Sequence, residues 1–244
     1  MSATTTDLIL FWNMETLNGA DMKDLSGYSR HGTISGTTDF AGKVSRARDF
    51  DGVDDEIETA ATFDCSGAFT ACSWLDPDIP TSSQIFWYFT SAAAGVDVGL
   101  IVGHYGNGQV LVQNGDGTQE SSSTALASSG WVHVAVTKTS AGAMKVYVNG
   151  TDVTVAAGAS WGLSTAGRQV GQKINGANDY NGRIDELRLY KRALSASEIT
   201  DIYDDLTSYP VVDTRPVDSG IARNNERKVW KSRMSLADFN LRNY

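Results

Sequence analysis

The chain has 244 residues, 41% of them hydrophobic, with 24 Gly but only 4 Pro, and a formal net charge of −9. That charge excludes nucleic acid as the main partner, because affinity for a phosphate backbone is supplied by Lys and Arg, and no apolar run approaches the roughly 20 residues of a membrane span. The length would allow two domains, but β-sandwiches often run past about two hundred residues around one core, and abundant Gly suits strands joined by tight turns.

Residues 7–13 read as a first strand with Leu8, Leu10 and Trp12 on one face and Ile9 and Phe11 on the other, so both faces are covered. Residues 18–43 are loop-rich. Residues 50–58 read as one strand studded with Asp51, Asp54, Asp55, Glu56 and Glu58, either a solvated outer face or a metal cluster. Strands follow at 69–75 and 84–90, each with aromatic side chains, and a hairpin at 96–105 and 109–113 turns on Gly106, Asn107 and Gly108. The run Asn114, Gly115, Asp116, Gly117, Thr118 lacks the closing Glu of a calcium loop, since Ala125 stands at position twelve, and reads as a turn.

The most ordered stretch is 131–150. Val132, Val134 and Val136 alternate with His133, Ala135 and Thr137, and Met144, Val146 and Val148 alternate with Lys145 and Tyr147. Residues 139–143 are a polar loop with Gly142, so the two strands pair. Asn149-Gly150 is a strong two-residue turn signal that returns the chain through 151–155, and His133 is expected beside Trp131. Residues 161–167 read as loop, 168–173 as a short strand, 175–182 as a polar loop and 184–190 as the last strand. Ser195 with Glu198 forms a capping box, and Ile199, Ile202, Tyr203 and Leu206 recur at helical spacing. Beyond this, Pro210, Pro216 and Gly220 break all periodicity. Residues 1–210 hold 13 Lys and Arg against 25 Asp and Glu, whereas 211–244 hold 7 against 4. This divides the chain into a domain over 1–206 and an extended basic arm over 207–244.

Trp131 and His133 heading a Val-rich strand, with the hairpin that ends Val146-Tyr147-Val148-Asn149-Gly150, resemble the laminin G-like branch of the concanavalin A-like lectin and glucanase superfamily. The stretch from Asp24-Leu25-Ser26-Gly27-Tyr28 through His31-Gly32 to Phe50-Asp51-Gly52 is similar to that family's opening motifs. Gly182-Arg183-Ile184-Asp185-Glu186-Leu187-Arg188-Leu189-Tyr190, followed by Arg192-Ala193-Leu194-Ser195, is similar to its closing one. The resemblance implies an all-β, two-sheet antiparallel jelly-roll sandwich. The spacing after Ser195 adds one short C-terminal helix, and the resemblance implies, in many relatives, a structural calcium ion where the opening loop meets the last strand. The matching positions are Asp24 and Asp185. The alternative is that Asp24 caps its own turn and Asp185 pairs with Arg30 or Arg183.

The catalytic glucanases of the superfamily carry two Glu flanking an Asp on one strand, and neither 54–58 nor Asp185-Glu186 reproduces that pattern, so an enzyme ranks last. Three His and two Cys give no triad or metal spacing, and Cys65 and Cys72 read as free thiols rather than a bridge. A sugar site needs aromatic platforms beside hydrogen-bonding groups. Tyr105, Trp161 and Tyr180 are the candidate platforms, and Asn178, Asp179 and Asn181 the polar partners, each with an alternative place in core or turn. In the arm, Arg227, Trp230, Phe239 and Tyr244 are the interface-forming types, suited to capsid or tail proteins or to copies of the chain itself. A strap folded back over its own domain is the other reading. The first ten residues lack the basic and apolar regions of a signal peptide, which suggests a chain made in the cytoplasm. Because glycans lie outside cells and virions leave by lysis, the leading expectation is a non-catalytic module of a bacteriophage virion, a capsid decoration or tail component that also binds glycans. A free carbohydrate-binding lectin is the alternative.

Overall fold

A computed structural model describes residues 5–61, 63–64, 66–78, 82–89, 100–114, 119–155, 165–166, 169–171 and 178–204. In chain order the strands begin with β1 (Leu8–Trp12), β2 (Leu17–Asn18), β3 (Asp21–Met22), β4 (Thr33–Ser35), β5 (Thr38–Ala41), β6 (Arg46–Asp51), β7 (Glu56–Glu58) and β8 (Phe63–Asp64). They continue with β9 (Phe69–Pro77), β10 (Gln84–Phe89), β11 (Leu100–His104), β12 (Gln109–Asn114), β13 (Gln119–Ala125), β14 (Val132–Lys138) and β15 (Met144–Val148). The last are β16 (Thr151–Asp152), β17 (Thr165–Ala166), β18 (Gln169–Val170) and β19 (Asn181–Tyr190), before the helix α1 (Ala196–Asp204).

Two antiparallel sheets form the sandwich. One runs β16-β15-β14-β9-β19-β6-β5, with β1 also on β19, and the other runs β13-β12-β11-β10-β18-β7-β4. Val132, Val134 and Val136 of β14 enter the main core with Phe69, Ala71 and Leu75 of β9 and Phe86 and Phe89 of β10. Ala135 and Cys72, between those residues in sequence, join Ile199 and Ile202 of α1 in a second cluster. The alternation of the pleat therefore gives the first sheet two covered faces, one against the other sheet and one beneath the helix. Each large apolar side chain so buried contributes roughly 1.5–3 kcal/mol. Cys72 is a free, buried thiol whose pKa burial pushes up to about 12; Cys65 lies outside the described residues.

The central hairpin forms as its pattern dictates, with Val134 opposite Val148 and Lys138 opposite Met144. Asn149 and Gly150 both take positive φ, 50° and 76°, as the tight turn into β16 requires. The chain then reaches the other sheet, for Ser123 N–H donates to Val153 O and Val155 N–H to Ser121 O. The capping box of α1 is also made: Ser195 N–H donates to Glu198 Oε2 at 2.8 Å and Glu198 N–H to Ser195 Oγ at 3.3 Å.

Two expectations need correction, and two further stretches hold strands that the sequence pattern does not announce. Residues 50–58 are not one strand. Phe50 and Asp51 end β6 in one sheet, Gly52 turns the chain at φ 78°, and β7 enters the other sheet. The carboxylates that interrupt the apolar pattern mark that crossing. Residues 18–43 contain strands too short and polar to show a period. The polar strand β13, QESSSTA, carries no apolar alternation to announce it, yet it pairs along β12. His133 packs against Trp74, its cross-strand partner, with ring centroids 5.3 Å apart, because directly opposed residues of paired strands lie closer together than residues two apart on the same face of one strand.

Candidate functional site

One end of the sandwich gathers several polar residues that are far apart in sequence. Gln84, at the start of β10, is the link: its Oε1 accepts from Asn181 N–H at 3.3 Å and lies 3.2 Å from His104 Nε2. The other ring nitrogen of His104 is 2.9 Å from the Tyr105 carbonyl. Burial lowers the pKa of this imidazole, against the raising effect of that hydrogen bond. On the other side, Ile85 N–H donates to Asn178 O at 2.7 Å and Asp78 N–H to Asn181 O at 3.0 Å. Asn181 also pairs with Asp51 across β19 and β6. A Cβ on Gly52 would lie 2.9 Å from Asn181 Cβ, so glycine lets this loop close against its neighbour.

The resulting rim carries Tyr105, Asn178, Asp179 and Asn181, of which Asn178 is exposed and the other three half-buried. Asn178 holds φ 60°, the left-handed conformation that Asn tolerates. Gln84 thus brings the turn after β11 and the approach to β19 to one place. Tyr180 is a correction. It is fully buried, its ring meets Phe50 and Phe86 at 6.0 Å, and its hydroxyl donates to Arg183 O. It is a core residue, and no sugar can stack on it. Burial raises its phenol pKa well above the usual value. Trp161 lies outside the described residues, as do Arg227, Trp230, Phe239 and Tyr244.

The carboxylates of Asp51, Asp54 and Asp55 lie beside this rim, with ligand atoms within 4.8 Å of one another. Asp51 and Asp54 are exposed, whereas Asp55 is buried and accepts Asp51 N–H at 2.9 Å. Burial raises the pKa of Asp55, and the neighbouring Asp51, Asp54 and Asp49 push the same way.

Asp24 and Asp185 occupy different settings. Asp24 Oδ1 accepts from Phe11 N–H and Ser26 N–H, at 3.0 and 2.9 Å, and Oδ2 accepts from Ser26 Oγ–H and Arg30 N–H, at 2.8 and 2.9 Å. Four donors fill the four lone-pair positions of a carboxylate, a set that fits a turn cap and not a cation ligand. Asp185 is fully buried where β19 passes from β6 to β1; Val44 N–H donates to its Oδ2 at 2.8 Å and its Oδ1 has no hydrogen-bond partner. Burial raises its pKa well above the usual carboxylate range, with Glu186 and Glu15 adding to the shift. A Cβ on Gly42 would fall 2.7 Å from Asp185 Oδ2, so the loop over this carboxyl closes only with glycine there. Arg30 Nη1 donates to Ile9 O, and Arg183 pairs with Asp49 and Asp76. Glu186 is paired with Arg188.

A laminin G model described as the concanavalin A-like lectin/glucanases superfamily matches residues 51–200. The chain belongs to the concanavalin A-like lectin and glucanase superfamily. No curated protein matches it in sequence. Among solved structures it is similar to the binding domain of Paraclostridial mosquitocidal protein 1, at TM-score 0.64 and 16% identity, over 82% of this chain and 52% of that one. It is also similar to the binding domain of botulinum neurotoxin DC in complex with SialylT, at TM-score 0.63 and 13% identity, over 84% and 53%. A Trypanosoma rangeli sialidase mutant displaying trans-sialidase activity matches at TM-score 0.61 and 18% identity, over 81% of this chain and 32% of that one. The chain spans about half the length of the toxin domains and about a third of the sialidase. At these identities the likeness establishes the jelly-roll fold of the superfamily. No helix of the described residues is long and apolar enough to cross a membrane.

Proposed function

We propose that the chain is a non-catalytic glycan-binding module of a larger assembly, and that the rim of Tyr105, Asn178, Asp179 and Asn181 is where it holds a saccharide. The observation that carries this reading is the Gln84 link, which sets an aromatic residue and three short polar side chains at one end of a lectin-type sandwich. Sugars offer an apolar ring face and a girdle of hydroxyls, and this combination meets both. The sialyl-ligand complex of the botulinum neurotoxin DC binding domain is in keeping with it. Carboxylate placement argues against hydrolysis. Asp185 is enclosed, Glu186 is neutralised by Arg188, and Asp51, Asp54 and Asp55 are clustered instead of facing each other across a scissile bond. The test is a glycan array on the full chain, followed by titration of the best neutral ligand. Tyr105→Ala and Asn178→Ala should each weaken it about tenfold with melting temperature nearly unchanged. Ligand turnover, or affinity indifferent to both variants, contradicts the proposal.

The assembly we infer is a bacteriophage virion, with this chain as a capsid decoration or tail component. The support, for an assembly partner, is compositional. Residues 211–244 hold 7 Lys and Arg against 4 Asp and Glu, and Arg227, Trp230, Phe239 and Tyr244 are residue types that anchor interfaces, while the rest of the chain is acidic. A chain ending at Leu206 is expected to keep nearly the full melting temperature and to lose incorporation into its particle. A large loss of stability with assembly intact would identify the segment as a strap on its own domain.

A further inference from the structure

The loop from Asp24 to Gly32 leaves the sandwich at the end away from the rim. On β4 and β7, Ser35 pairs with Glu56 on the side of Asp55, and Thr33 pairs with Glu58 on the far side, from which the loop departs. Its backbone is held firmly. Asp24 gathers Phe11, Ser26 and Arg30, Trp12 Nε1–H donates to Arg30 O at 3.0 Å, and His31 Nδ1 accepts Asp24 N–H at 3.1 Å. Ser29 holds φ 57°, a left-handed conformation that non-glycine residues adopt only where surroundings impose it.

This rigid loop displays Tyr28, 58% exposed, among the few exposed large hydrophobic side chains of the described residues. Arg30 lies against two aromatic rings, its Cζ 4.8 Å from the centre of Tyr28 and 5.1 Å from that of buried Phe63. One of its side-chain N–H groups donates to Ile9 O at 2.7 Å. Among the described residues no carboxylate stands within ion-pair distance of it, whereas Arg46, Arg48, Arg183, Arg188 and Arg192 each have one. A guanidinium has five N–H donors in a planar fork matched to a carboxylate. Here the fork is fixed by two ring faces, half-exposed and short of a counter-charge, next to an exposed aromatic face.

We propose that Tyr28 and Arg30 form a second saccharide subsite, separate from the rim and selective for sugars that bear a carboxylate. Arg30 would take the carboxylate and Tyr28 the apolar face of the same ring. The subsite goes beyond the rim reading and shares no residue with it, so each can fail alone. The probes are sialyllactose and lactose, titrated into the full chain with each variant's melting temperature recorded. Sialyllactose should bind at least about tenfold more tightly than lactose, and its affinity should fall as salt is raised. Tyr28→Ala, a change at an exposed position, should cost sialyllactose about tenfold and leave neutral-glycan binding at the rim untouched. Arg30→Lys keeps the charge and loses the fork, so it should weaken sialyllactose severalfold. Equal affinity for the two probes, no sialyllactose binding at millimolar concentration, or sialyllactose affinity unchanged in Tyr28→Ala would each overturn the proposal. Loss of neutral-glycan binding in Tyr105→Ala, with sialyllactose still dependent on Tyr28, would assign the two ligands to two sites as proposed.

Discussion

His133→Phe should hold the fold together in acid better than the natural residue does. His133 is buried on the face of β14 that α1 covers, against Trp74 at 5.3 Å and Tyr203 at 6.1 Å, and neither ring nitrogen has a hydrogen-bond partner. Burial depresses its pKa to about 3, with the Arg188 guanidinium pushing the same way. A histidine whose folded pKa lies below the unfolded value of about 6.5 binds fewer protons when folded, so stability is full above that value and drains away as pH falls toward the folded pKa. Between pH 7 and pH 4 the loss is on the order of 3 kcal/mol. Phenylalanine keeps the edge-to-face packing on Trp74 and loses no hydrogen bond, so the two chains should differ little at pH 7. Asp185, whose raised pKa acts in the opposite direction, and Glu198 are common to both chains and cancel in the comparison. Glu198 loosens the same helix at still lower pH: the hydrogen bond from Arg192 holds its pKa to about 2, and its contribution is lost as pH falls through that value. Denaturant unfolding at the two pH values measures the gap. Parallel pH profiles for the natural chain and the variant would refute the assignment.

Gly103→Ala should be the most damaging single methyl in the described sandwich. A Cβ there would sit 2.0 Å from the backbone oxygen of Gln84 and 2.9 Å from Ile85 Cδ1, at the point where the register of β10 against β11 shifts. Backbone cannot yield as a side-chain tip does, so the two strands must separate, at a cost of about 3 kcal/mol. Gln84 is also the residue that joins His104 to Asn181, and the rim should lose its shape together with the stability. Gly67, which has nothing within 4 Å of a built Cβ, is the control, and Gly67→Ala should change stability by less than about 0.5 kcal/mol. Equal melting temperatures for the two alanine variants would remove Gly103 from this account.

The fold was readable wherever the pleat repeats. Val132, Val134 and Val136 announced a core face, and Asn149-Gly150 announced its own turn, because both signals act between near neighbours. The crossing at Gly52 was hidden because an apolar-acidic run looks continuous until the two sheets separate it. Tyr180 could have been placed correctly: Ile184, Gly182 and Tyr180 lie at period two and carry the inward face of β19 backward, but the surrounding Asn and Asp disguised the step. The rim itself was only half legible. Its residue types stood out, yet Gln84 and Asn181 are 97 positions apart, and nothing local in a glutamine says that it will join two loops. The same distance problem concealed Trp74 as the neighbour of His133.

Backbone amide resonances of the full chain, followed while the best neutral glycan from the array is added, report whether the Gln84 rim holds saccharide. Shifts should concentrate at Tyr105 to Asn107, at Asn178 to Asn181 and at Gln84, saturating with ligand and needing about tenfold more of it in Asn178→Ala. Shifts confined to other surfaces, or none with any glycan at millimolar concentration, would contradict it.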